Sequence, residues 1–444
     1  MINTSSFPLP SFAFSAPADS LQSLCSHPDS PLSRQFFTPL LREVESLPAF
    51  RVCPDLPDQD WLLLGVLRSL QPVQSGRAFL QKDASLLPGC PQRSQFFETL
   101  KSKRRLAFCS QSAAALLAHL SPLLPDALAQ FPALAGFDVW AGDGHHHAAA
   151  AHDPRDAEGR KHPTGHLYLL DLRSHLMGHL TVGDQDARLK EHDMRGLKRM
   201  DLQALRMGAA KGRKVIIVWD RAGIDFRQWH HWKDTGGLYF ISREKQNMTL
   251  EVCGENRWDR ADALNAGVLA DELCMPSSAG VLLRRVRFQR PDTGEEIALL
   301  TMELTLPPGL IAELYRRRWC IEKAFDEFKN KLGEKKAWAT SATAKTMQAQ
   351  LMCITHNLLL WIDHQMAAEH GIHNTAEDNR RAKRLADLTE VVTAAGRVLP
   401  SAWIALQQAT VRSVKLIRWL YTRLFLRIPW QESLVALAAS YANL

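Results

Sequence analysis

The sequence predicts an α/β protein: a mixed sheet flanked by helices and interrupted by a β-rich insertion, with helical regions at both ends. Three observations carry this prediction. Between Phe137 and Asp220 the chain reads strand, hairpin, helix and buried strand in succession. From 311 to 336, IAELYRRRWCIEKAFDEFKNKLGEKK has the period of a helix with one apolar and one polar face. The stretches from Phe36 to about 132 and from 343 onward carry apolar residues at helical spacing.

The 444 residues allow two to four domains and a sizeable core. With 46% hydrophobic and 23% charged residues the composition is that of an ordinary globular protein. Lys and Arg number 54 against 47 Asp and Glu, a net charge of +7 that leans mildly toward polyanionic partners. The 8 cysteines include no CxxC pair, which argues against a zinc ribbon or a disulfide framework and for a reduced, cytoplasmic chain. No uncharged apolar run is long enough to span a membrane, and the Ser- and Pro-rich residues 1–35 lack the basic start of a signal peptide.

Taken in order, the first helix begins near Phe36 and runs through LLREVESL, and DWLLLGVLRSL, opened by an Asp and apolar nearly all round, reads as a buried second one. PQRSQFFETLKSKRRL follows as a helix with Arg104 and Arg105 at its basic end. A compact helical region ending this way resembles a helix-turn-helix type DNA reader. At Phe137 the grammar changes. FDVWAGDGHHH alternates and then breaks at Gly-Asp-Gly, so it reads as a strand ending at Asp143 and running into a turn. HLYLLDL (166–172) and LMGHLTV (176–182) form a hairpin, a helix spans about 191–207, and KVIIVWD (214–220) is a buried strand delivering Asp220 at its tip. GGLYFISR, MTLEVCG, GVLLRRVRF and EIALLTMEL are short and β-like, and the last of them is expected to return to the main sheet. A long buried helix is expected over 343–365, followed by basic helical stretches.

On the helix at 311–336, Tyr315, Arg318, Glu322 and Lys329 fall within about 60° of one another at 100° per residue, opposite Leu314, Ile321, Phe325 and Phe328. The spacing Tyr-x2-Arg-x3-Glu-x6-Lys, within YRRRWCIEKAFDEFK, resembles the signature around the third acidic residue of DDE transposases of the IS4 type. DRAGID, opened by Asp220, resembles the motif that follows the second acidic residue of the same family, and Asp143 stands in the Asp-Gly pair found at the first. The motifs cover residues 136–336. Where relatives commonly place Thr after Asp-Gly, this chain has His145, which leaves the role of that position open.

The resemblance implies an RNase H-like catalytic core. Residues 1–132 would then be a helical DNA-binding domain, 133–370 the catalytic domain with a β-rich insertion at about 227–300, and 371–444 a C-terminal helical region. Asp143, Asp220 and Glu322 would be the catalytic carboxylates and the ligands of two Mg²⁺ or Mn²⁺ ions, since paired hard cations suit phosphodiester chemistry. Tyr315, Arg318 and Lys329 would contact the transposon end, and Trp258, in the insertion, would receive a flipped base. The partners would be double-stranded DNA, as terminal inverted repeats and target, with a homodimer in the DNA complex, no membrane, and association with the bacterial nucleoid when DNA is bound. Arg316 and Arg317 point away from the tetrad and read as DNA-facing or solvated charge.

Rival readings remain at this level. Asp138 and Asp153 compete with Asp143 for the first position. The segment from His145 to His179 holds eight histidines, a potential zinc source, although adjacent histidines on a strand point to opposite faces and no His-Glu-x-x-His pattern occurs. For function, the alternatives are a domesticated RNase H-like nuclease and a non-catalytic DNA-binding protein.

Overall fold

The computed structural model of the protein describes residues 31–442 apart from 54, 72–74, 84–92, 184–190, 278, 335, 406–413 and 427–428. Residues 1–30, most of the expected loose N-terminal start, lie outside this description. One nine-stranded sheet organises the chain, in the order β3-β2-β1-β4-β5-β9-β8-β7-β6. β1 (Phe137–His147), β4 (Lys214–Val218) and β5 (Leu238–Arg243) run parallel, and β2 (Thr164–Asp171) pairs antiparallel with β1 and with β3 (Met177–Val182). Five strands ordered 3-2-1-4-5 with the second reversed are the RNase H-like arrangement expected from the sequence.

The β1 strand does not stop at Gly-Asp-Gly. It runs on to His147 because β2 stays paired with it, Asp143 opposite Tyr168 and His147 opposite Thr164. Gly142 permits this locally, since a Cβ there would run into the Trp219 ring. In place of one helix at 191–207 there are two short ones, Asp193–Lys198 and Leu202–Leu205, each with its own side-chain cap, from His192 and Asp201. Asp225 caps the crossover helix Phe226–Gly236 by accepting from the Gln228 amide, and Gly237 closes it at φ 59°.

GGLYFISR is β5, a strand of the core sheet, and the crossover helix before it packs on it. Beyond β5 the sheet continues as an antiparallel meander, β6 (Leu250–Glu255), β7 (Val268–Pro276), β8 (Leu283–Gln289) and β9 (Glu296–Thr301), with β9 pairing back onto β5. The sequence reading missed β7, whose Asp271 and Glu272 break its apolar pattern. Asp271 is buried against Arg284 of β8, in a two-pronged pair of 2.8 and 2.7 Å.

Helices cover both faces. The long helix Ala342–His370, capped by Ser341, lies under β3 and packs on the helices Asp58–Ser69 and Lys103–Leu120. Asn357 on it both donates to and accepts from the Met177 backbone of β3. The N-terminal helices share one continuous apolar core with this helix and with the inward side chains Val139, Ala141, Ile216 and Val218 of the sheet. The opposite face of the sheet holds a second cluster around Trp219, Trp229 and Phe240. Among the described residues no helix is long and apolar enough to cross a membrane.

The basic helix expected around Arg93–Arg105 is two helices, Arg93–Thr99 and Lys103–Leu120, and while Lys101 and Lys103 are exposed, the two arginines at its basic end turn inward. Arg104 grips Asp58 through both terminal nitrogens, and Arg105 is buried, donating to the Leu56 carbonyl with Asp58 at 3.3 Å. Asp58 is wholly buried, so these two cations are its counter-charge. This corrects the reading of Arg104 and Arg105 as DNA-binding residues.

Candidate active site

Strand register sets the first two carboxylates side by side. In the parallel pair Ala141 lies opposite Val218, the last residue of β4, and Asp143 and Asp220 each follow two residues later. Alternation carries both to the sheet face of Val139, Ala141, Ile216 and Val218. Beyond Val218 β4 no longer pairs with β1, although the Trp219 amide still donates to the Ile241 carbonyl of β5, so β1 and β4 can part there and leave room between the two side chains. Asp220 is extended at φ −72° and ψ −176°, and its Oδ1 accepts from the Ala222 amide, which fixes its carboxylate at the start of the turn Arg221–Gly223. Ser242 of β5 donates to the Asp220 carbonyl and anchors it from the other side.

The third carboxylate comes from a helix lying across that face. The stretch 311–336 is two helices, Pro308–Arg317 and Trp319–Asn330, meeting at Arg318, where the amide of Arg318 bonds to Tyr315 and that of Ile321 bonds to Arg318 in tight three-residue steps. The single helix expected from the sequence is broken where Arg318 is drawn inward. One terminal nitrogen stands 3.0 Å from Asp143 Oδ2 and the other 2.8 Å from Glu322 Oε1. Arg318 thus bridges the strand carboxylate and the helix carboxylate, a role the sequence did not reveal.

The electrostatics follow from this crowding. Burial pushes the Asp143 carboxyl up to about 6; Arg318 and the Gly144 amide pull it down, and Asp220 and Glu322 push it up again. Burial works against the Arg318 charge, but Asp143, Glu322 and Tyr315 outweigh it and hold the guanidinium above its ordinary range. Tyr315 is half-buried, its phenol raised first by burial, and Arg318, Arg243, Asp220 and Arg221 are all close enough to act on it. Tyr315, Arg318 and Glu322 therefore converge on Asp143 and Asp220, whereas Lys329 lies two turns along the helix on the exposed side.

The rivals fall elsewhere. Asp138 is on the other face of β1, paired with Arg213 at 2.7 Å, and Asp153 is buried against Lys345 at 2.9 Å. Asp326 is exposed and accepts from Asn330. Arg317 is buried on Glu313, and Arg316 pairs with the same carboxylate and stacks over Trp403, so neither is the free charge expected. Trp258 sits half-buried in the connection after β6, with Arg260 over its ring at 5.2 Å, and is not part of either core cluster. The donor set fits a hard divalent cation: three half-buried carboxylates from three elements, with Arg318 the positive charge held between two of them.

Comparison with known proteins gives three likenesses. Residues 143–358, which begin at Asp143 and take in Asp220 and Glu322, match the model of the family described as transposase DDE domain. A Sinorhizobium fredii protein named "Putative transposase y4zB" is 32% identical over 126 residues, 27% of this chain and 35% of that protein, so the match spans about a third of the relative's length. A solved structure of the piggyBac transposase synaptic complex with hairpin DNA aligns over 96% of this chain and 85% of that one, with a TM-score of 0.38 and 11% identity. Residues 143–358, a little under half of the chain, are thus similar to the transposase DDE domain family.

Proposed function

We propose that this protein is a DNA transposase of the cut-and-paste type, resembling the IS4 group in its motifs, cutting at the ends of its element and joining them to target DNA. The observation that carries this reading is the convergence of Asp143, Asp220 and Glu322 past the end of β4, with Arg318 between two of them. Two Mg²⁺ or Mn²⁺ ions held by these carboxylates would lower the pKa of the attacking water or 3′-hydroxyl and stabilise the leaving oxygen. The chain's own residues position and neutralise. Arg318 offers a planar fork that can pass from carboxylate to phosphate, Tyr315 sits beside it, Lys329 adds charge farther along the strand of DNA, and Trp258 offers a half-exposed ring for a flipped base. A homodimer on paired ends, bound to the nucleoid in the cytoplasm, completes the proposal.

The test uses duplexes ending in the terminal repeats of the element that encodes the chain, with Mg²⁺ or Mn²⁺, reading both cleavage and joining of a 3′ end to a target. Losing one metal-binding carboxylate should cost at least about a thousandfold in rate, so Glu322→Gln is expected to abolish both steps while DNA binding and folding persist. Asp326→Asn should retain measurable catalysis. Cutting without joining would identify a nuclease, binding without either a non-catalytic DNA-binding protein, and an active Glu322→Gln would remove the carboxylate assignment.

A further inference from the structure

The inward face of β1 does not end at Asp143. The next two side chains on it are His145 and His147, because residues two apart share a face. Past Asn330 the chain leaves its helix and brings Glu334 up against them. His145 Nε2 lies 2.8 Å from Glu334 Oε1, and His147 Nε2 lies 4.0 Å from the same oxygen. One ligand atom from each of the three residues lies within 4.8 Å of the others.

A further observation points to a ligand. Glu334 is only 3% exposed, and its Oε2 has no hydrogen-bond partner. A buried carboxylate left with an open lone pair costs free energy that a cation would recover. The rings are also held in place. His145 stacks on Phe325, with centroids 4.4 Å apart and planes at 11°, and the Tyr168 hydroxyl meets His147 Nε2 at 2.6 Å. Behind them His166 tilts against His147 at 4.3 Å and is bonded to His179, so the pocket has an outer layer of imidazoles.

We propose that His145, His147 and Glu334 bind one divalent transition-metal ion of the zinc type, separate from the ions of the three carboxylates. Two imidazoles and a carboxylate suit zinc better than magnesium, which prefers oxygen throughout. Tetrahedral zinc at 2.0–2.1 Å from each ligand sets ligand atoms roughly 3.3 Å apart, so the 2.8 Å pair opens by about half an ångström and the 4.0 Å pair closes by slightly more. Zinc entry requires His147 Nε2 to release the Tyr168 hydroxyl, which then stands beside the ion. The ion ties β1, which carries Asp143, to the end of the helix that carries Glu322, and so fixes the spacing of two catalytic carboxylates without taking part in the chemistry. This assignment does not depend on the chain being a transposase.

The experiment measures zinc bound to the full chain after loading and dialysis, together with the visible absorption of the Co²⁺ form. Wild type, Asp143→Asn and Glu322→Gln should each hold about one zinc per chain and show the bands of low-symmetry Co²⁺. Glu334→Gln and His145→Asn, the latter at a partly exposed position less exposed to folding failure, should lose at least about tenfold in zinc affinity with unchanged circular dichroism. A wild type without stoichiometric zinc overturns the proposal. So does loss of zinc in Asp143→Asn, or its retention in both Glu334→Gln and His145→Asn.

Discussion

Asp143 is a side chain whose ionisation the fold opposes, and that gives it a cost a bound metal would offset. Its carboxyl is raised from the ordinary 3.8 to about 6, so between these values the folded chain holds a proton that the unfolded chain has released. Stability contributed by the protonated form is therefore complete below about 3.8 and lost as pH rises through 6. The shift corresponds to roughly 3 kcal/mol at neutral pH, an upper figure because part of the carboxylate still meets water. Asparagine mimics the protonated acid. In chelator at pH 7.5, Asp143→Asn should be more stable than wild type by about 1 to 3 kcal/mol in urea unfolding, while cleavage with Mg²⁺ is lost. A variant of unchanged or lower stability would mean that Arg318 neutralises Asp143 fully in the folded chain.

At the scale of elements, the helix Lys103–Leu120 is held to the helix Asp58–Ser69 by ion pairs and not by apolar packing alone. Arg104→Ala leaves Asp58 with Arg105 at 3.3 Å and the Arg51 amide at 2.7 Å, so the cost should be about 2 kcal/mol, below that of stripping a buried charge of every partner. The salt dependence of DNA binding should not change, because this guanidinium is already spent on Asp58. A flatter salt slope with unaltered stability would return Arg104 to the DNA-facing surface. The same logic explains β7: a strand carrying Asp271 and Glu272 looks solvent-facing in sequence, and only Arg284 on the adjacent strand makes its burial affordable.

For the whole molecule, stability should fall on acidification. His147 and His166 are buried, and burial first, then neighbouring histidines, hold both well below the ordinary imidazole range. Depressed imidazoles leave the unfolded chain to take up protons below about pH 6.5 that the folded chain refuses, each costing up to about 1.4 kcal/mol per pH unit. Buried His179, lowered to about 3, acts with them, while Asp143, Asp171 and Glu334, all raised by burial, act in the opposite sense as the pH falls toward the carboxylate range. Urea midpoints of the metal-free protein should therefore drop from pH 7 to 6, where the histidines dominate. A flat profile over that range would show that the histidines gain protons in the folded chain.

Local pattern was enough for much of this protein. Apolar alternation and turn residues place β1, the β2–β3 hairpin, β4 and the long helix, because each buries a face whose period is written in adjacent residues. The tetrad spacing likewise selects Glu322 over Asp326, which the structure leaves exposed beside Asn330. What the sequence could not settle depends on partners far along the chain. β1 continues past Asp143 only because β2 pairs with it, the 311–336 helix breaks where Arg318 reaches a strand 175 residues away, and Arg104 and Arg105 turn inward because Asp58 is buried there. Charge carries no local signal of whether it will face water or another charge. That choice is made when the sheet and helices close, and here it decided both the clamp on Asp143 and the meeting of His145, His147 and Glu334.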